Sequence, residues 1–109
     1  MKITVLHLNQ DRDTGAVIGF DPVAEVNVRH TEDVDAALEY AYRYTNNVDG
    51  SWSMKIGSDA NSDVTVFAPL PVYNGRTYGH RSTSMFDRMI VNGKTYRVAM
   101  FGFDEVVKE

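Results

Sequence analysis

The sequence contains no cysteine, three prolines and a single tryptophan. The missing thiols exclude a disulfide framework, a thiolate zinc site, a cysteine nucleophile and a Cys-ligated iron–sulfur cluster, and they fit a reducing compartment. No run approaches the roughly 18 apolar residues that a membrane helix needs. Strand-like residues begin at Lys2, with no charged start leading into an apolar core, so no signal peptide and a cytoplasmic location are expected. Neither Gly-x-Gly-x-x-Gly nor Gly-x-x-x-x-Gly-Lys occurs, which removes the common mononucleotide-binding enzymes. His7, His30 and His80 are the only histidines, and no two of them share a metal-ligand spacing. Neither a metal nor another cofactor is expected.

What is present is the composition of a folded chain: 109 residues, 43% hydrophobic and 24% charged. That length holds one domain, spanning 1–109, with a shallow core. The formal charge of −4 hides two blocks of opposite sign. Between Asn9 and Asp49 nine acids face Arg12, Arg29 and Arg43, and between Tyr73 and Arg97 five bases face Asp87 alone. Such polarity can steer a partner or favour head-to-tail self-association, but oligomeric state does not follow from it.

The periodicities predict a mostly β chain with one main helix. Lys2–Leu8 reads as a strand with Ile3, Val5 and His7 on one side and Thr4, Leu6 and Leu8 on the other. A polar turn ending at Gly15 predicts a hairpin to a short strand over 16–20; Asp21-Pro22 then breaks the ladder, and 23–29 reads as a third strand. Thr31, followed by Glu32, Asp33 and Asp35, predicts a helix start capped by Thr31, with the helix running to about Asn46. Its apolar stripe (Val34, Ala37, Leu38, Ala41) has Tyr40 and Tyr44 on one edge and Tyr42 on the other. A weak alternation over 51–56 precedes a strand around Val64 and Val66. Asn74-Gly75 and Asn92-Gly93 are two-residue hairpin turns, because type I′ geometry needs positive φ at both central positions. Ser84-x-x-Asp87 predicts a capped turn of helix between them. The expected fold is α+β: a twisted antiparallel sheet with the helix at about 31–46 packed on it, and two sheets or a partial barrel as the alternative.

Two constellations have the residue types for chemistry. Asp59, Asn61 and Asp63 share the spacing that opens a calcium loop, but Val64 replaces the required glycine and Leu70 the bidentate acid, so a polar loop is expected. His80, Ser82, Ser84 and Asp87 are the types used in nucleophilic catalysis; short-range abundance of those types is not geometry, and no catalytic residue is assigned. Bases and rings interleave from Tyr73 to Arg97, as on single-strand nucleic-acid surfaces, while a sequence pI near 5.3 opposes phosphate-driven affinity.

The segments Asn46–Ser53, Thr77–Arg88 and Tyr96–Phe103 resemble a pattern of short proteins encoded by phages of Actinobacteria, in which a helix ends in Asn-x-Asp-Gly-Ser-Trp. From Arg81 to Phe103 the chain is similar in outline to the YodL-like module of polyvalent phage and mobile-element proteins, with its Arg-Ser-x-Ser-x-x-Asp element, terminal hairpin and Gly-Phe. The resemblance implies accessory phage biology in the host cell and carries no catalytic residues. The function expected is non-enzymatic binding of a host protein or host defence component, through Arg76, Tyr78, His80, Arg81 and Arg88. Charge reversal of Arg81 and Arg88 is expected to abolish binding without lowering the unfolding midpoint. The alternative is single-stranded nucleic-acid binding through the same residues.

Overall fold

The computed structural model describes residues 1–107. Strands β1 (Lys2–Gln10), β2 (Val17–Asn27), β3 (Val64–Val66), β6 (Arg88–Val91), β7 (Lys94–Val98) and β8 (Phe103–Glu105) form one antiparallel sheet ordered β3-β2-β1-β6-β7-β8. The short hairpin of β4 (Val72–Tyr73) and β5 (Arg76–Thr77) stands apart as a second, two-stranded sheet. The large sheet stays open. The single α-helix among the described residues, α1 (Val34–Tyr44), packs on one of its faces, an α+β arrangement.

The period-2 pattern of β1 places Ile3, Val5 and His7 toward the helix, where all three are buried, and leaves Thr4, Leu6 and Leu8 half-buried on the other side. Val23, Ala24, Val26, Val28, Val64, Met89, Val91, Val98, Ala37, Leu38, Ala41 and Trp52 complete the core. Tyr40 and Tyr44 stack at one edge of the helix, ring centroids 4.9 Å apart, while Tyr42 meets Phe103 edge-on at the other. Both Asn-Gly turns form, with φ of 51° and 74° at Asn74-Gly75 and 53° and 75° at Asn92-Gly93. No helix among the described residues is long and apolar enough to cross a membrane.

Three local expectations need correction. Asp21-Pro22 does not end a strand: β2 runs through it, with Pro22 opposite Leu6 at a register shift. The bulge absorbs the missing N–H, and Pro22 lies beyond the stretch of β2 that β3 flanks. The helix is shorter than predicted and its cap is Asp33, whose carboxylate accepts from the Ala36 N–H at 2.9 Å. The Thr31 hydroxyl instead accepts from the Asp33 N–H one step earlier, so the two residues organise the entry in series. At Ser84–Asp87 a turn forms without helix, because Phe86 has φ of 78°, which stops any right-handed continuation. The edge strand β8 was not legible in a three-residue segment following Gly102.

Candidate functional site

Asp59 and Asp87, two buried carboxylates, organise the loops beside the sheet. Asp59 ends the 3₁₀ turn Gly57–Asp59 and is fully buried. One of its oxygens accepts the backbone N–H groups of Val48, Asp49 and Gly50, and the other accepts from Arg43 at 3.0 Å. The Gly50 N–H, then those of Asp49 and Val48 with Arg43, hold this carboxyl below the usual range against the opposing effect of burial. Its spacing partners do not converge with it: Asp63 accepts from the Tyr40 hydroxyl, and Asn61 donates to that same hydroxyl. Among the described residues no three His, Asp or Glu side chains are arranged to hold a metal. The buried Asp59 thus fixes the helix exit, a role its calcium-like spacing did not reveal.

Asp87 does the same for 81–87. Arg81 donates to both of its oxygens, at 2.6 and 2.8 Å, and the backbone N–H groups of Leu8 and Ser84 complete the set. Burial alone would raise the Asp87 carboxyl, but Arg81 and the two N–H groups outweigh it and keep it ionised. Arg81 also donates to the carbonyls of Ser82 and Leu8. Its charge is therefore spent inside the molecule. Reversal to Glu at this position sets two carboxylates together, so the expectation of an unchanged unfolding midpoint does not survive.

The five residues singled out by sequence lie in three places. Arg76 and Tyr78 belong to the β4–β5 hairpin, with the guanidinium 5.6 Å from the Tyr78 ring. His80 and Arg81 line a cleft of about 710 Å³ at the β1–β2 turn, together with His7, Asp21 and Arg12. A Cβ on Gly79 would lie 2.5 Å from the Ser51 hydroxyl oxygen, so glycine is what lets this segment close on the Trp52 turn. His80 donates Nε2–H to the Ala68 carbonyl, and its backbone N–H bonds the Ser53 hydroxyl.

Arg88 is elsewhere, on the sheet face opposite α1. There Leu6, Leu8, Phe20 and Ile90 share one side through the β1–β2 and β1–β6 registers, and Arg97 lies opposite Arg88. Leu8, Val17, Phe20, Phe86, Arg88 and Arg97 line a groove of about 320 Å³ with Gln10. The Arg88 guanidinium sits 4.0 Å above the Phe20 ring, a cation–π contact worth about 1 kcal/mol at a half-exposed site. Its Nε is the one buried side-chain nitrogen or oxygen without a hydrogen-bond partner among the described residues. Phe86, half-exposed, is held at its left-handed φ by an N–H bond to the Val98 carbonyl. A ring in that conformation is a rare and costly arrangement.

Among the described residues the ion pairs lie within one charge block or reach outside both, and none joins one block to the other. Arg29 meets Asp63, Arg43 meets Asp59, Lys94 meets Glu105 and Arg97 meets Asp104. Of the basic block, Arg76 and Arg88 have no carboxylate partner among the described residues. Phe20, a strand residue, and Phe86, a turn residue, are not recognisable in the sequence as groove walls because the pairing that aligns them is long-range. No protein-family model, curated protein or solved structure matches the chain.

Proposed function

We propose that this protein is a non-enzymatic binding module of phage origin whose target is a host protein, engaged through the uncovered face of the sheet. The observation that carries the reading is Arg88: a guanidinium laid on Phe20 in an apolar-walled groove, with no carboxylate partner among the described residues and with its Nε unsatisfied. Its terminal guanidinium nitrogens have no hydrogen-bond partner among the described residues and, unlike Nε, are not sealed, so a partner's carboxylate can pair with them. Leu8, Val17, Phe20 and Phe86 around it suit aliphatic side chains flanking that acid. The partner surface is accordingly an acidic residue set among apolar ones. Exposed Ile18 and Ile90 enlarge the apolar area beyond the groove. The phage setting comes from the sequence resemblance alone.

The test is an affinity pulldown from nuclease-treated bacterial lysate with four proteins: wild type, Arg88→Glu, Ile90→Lys and Arg76→Glu, each checked for an unchanged melting profile. The expected result is a defined protein retained by wild type and Arg76→Glu and lost by the two variants of the uncovered face. Mixing with that purified protein should then give a 1:1 complex disrupted by the same variants. Equal retention by all four overturns the assignment of the face. Recovery of nucleic acid only, in the absence of nuclease and with a steep loss of affinity on added salt, replaces the reading by the nucleic-acid alternative. Self-association broken by Ile90→Lys would make the occupant a second copy of the chain.

A further inference from the structure

The cleft at the β1–β2 turn has an independent feature, which follows from counting protons along a chain of hydroxyls. The Ala41 carbonyl can only accept, so the Thr45 hydroxyl donates to it, at 2.8 Å. Thr45 Oγ1 then accepts from the Thr83 hydroxyl, also at 2.8 Å, and that donation uses Thr83's one proton. Thr83 Oγ1 must therefore accept from His7 Nε2–H, 2.9 Å away. The relay fixes the His7 tautomer: Nε2 carries the proton and Nδ1 carries a lone pair. His80 is fixed the same way, because its Nε2 faces the Ala68 carbonyl, which has no proton to give.

Both imidazoles line the cleft, and neither Nδ1 makes a hydrogen bond among the described residues. His7 is only 6% exposed, yet its Nδ1 is not among the sealed unpartnered atoms, so the cleft reaches it. A third acceptor stands opposite His7 across the β1–β2 ladder: Asp21 pairs with it in register, lines the same cleft and has no ion-pair partner among the described residues. Other charges nearby are spent or set apart. Arg81 is cancelled by Asp87, and one Asp11 oxygen accepts the Asp13 and Thr14 N–H groups, leaving Arg12 as the cation on the rim. Val23 and Ala68 give the cleft apolar wall.

We infer that this cleft binds a guanidinium group, with His7 Nδ1, His80 Nδ1 and the Asp21 carboxylate accepting its N–H donors and the apolar wall receiving its alkyl stem. Of the cations lining the cleft, Arg81 is spent on Asp87 and Arg12 stands at the rim; the three acceptors match a ligand that is all donor, and a guanidinium offers five N–H groups in one plane. Among the described residues the three do not form a metal-holding group. The cleft shares Leu8 and Gln10 with the Arg88 groove, but its three acceptors line the cleft alone.

The experiment uses the full chain labelled with ¹⁵N-histidine. The ring nitrogens of His7 and His80 should both show the Nε2–H tautomer at neutral pH. Methylguanidinium and the blocked peptide acetyl-Gly-Arg-Gly-amide are then titrated separately. A saturable shift of both Nδ1 resonances is expected, with affinity reduced about tenfold or more in Asp21→Asn, the usual effect of losing a charge-assisted bond, and unchanged in Arg88→Gln. Stronger binding of methylguanidinium identifies a free guanidino compound as the ligand class, and stronger binding of the peptide identifies an arginine side chain. An Nδ1–H tautomer at either histidine, no saturable shift with either probe, or the same affinity in Asp21→Asn overturns the inference.

Discussion

Ile3, Val5 and Met89 on one face of β1 and β6 are completely buried, whereas Thr4, Leu6 and Ile90, one residue further along the same strands, are half-buried or exposed. The two faces share a backbone, a twist and a register; they differ in that α1 and the Trp52 turn cover only one of them. The covered face is where apolar area is converted into stability, and the uncovered one keeps its apolar area available for association. Their cations differ in the same way. Arg81, bound to Asp87 beneath the loop that closes the covered side, has two carboxylate contacts, while Arg88 on the open side has an aromatic ring and no carboxylate partner among the described residues.

That comparison breaks first at Trp52. The indole is fully buried, donates to the Arg81 carbonyl at 2.9 Å and stands edge-on to His7. Trp52→Ala should cost about 3–5 kcal/mol, typical of a large core truncation, and urea unfolding would register it. Next comes Arg81→Ala, which leaves the Asp87 carboxylate short of two donors; a loss of about 2 kcal/mol is expected, reduced from the value for a fully buried pair because Arg81 is half-exposed. Arg88→Ala should cost less than Arg81→Ala, since it removes an unsatisfied donor along with the cation–π contact. The reverse order in thermal melts would contradict the distinction drawn between the two arginines.

The covered side also carries a pH dependence. Burial, aided by the Arg81 and His80 charges and opposed by Asp87, pushes His7 down to about 4 from its ordinary 6.5. Above pH 6.5 the ring is neutral in both folded and unfolded chains, and stability is unaffected by its titration. As the pH falls from 6.5 toward 4 the unfolded chain takes up a proton that the folded one refuses, so stability declines through that window. Urea midpoints between pH 7.5 and 4 should follow this course, and the His7 ring should resist protonation until pH approaches 4 in a proton NMR titration. The smallest effect belongs to the open face: Ile90→Ser should change stability by no more than about 0.5 kcal/mol, a difference read from paired thermal melts. A large loss there would mean that the face is structural.

Much of the architecture was legible because it rests on local chemistry. The alternation of Ile3, Val5 and His7, the stripe of α1 with its tyrosine edges, and both Asn-Gly hairpins follow from side-chain period and from the tolerance of Asn-Gly for positive φ. The Pro22 strand was misread because a bulge can absorb a missing donor, and the bulge exists only once β1 is alongside. The helix cap was displaced by one competing turn, with Thr31 serving Asp33 instead of the helix itself.

The candidate sites were less legible. His80 and Arg81 were named from their neighbourhood in the chain, but their companions His7 and Asp21 lie more than fifty residues away. Arg88 was chosen for its charge, and nothing near it in sequence announced Phe20 beneath it. Composition and periodicity determined that this chain is one α+β domain with a single main helix and two tight hairpins, since each of those depends on residues within a few positions of one another. Only tertiary structure decided which arginine is spent and which is free, which histidine nitrogen carries a lone pair, and which sheet face stays open. Those properties depend on partners that antiparallel pairing brings together from distant parts of the chain, and no local pattern specifies them.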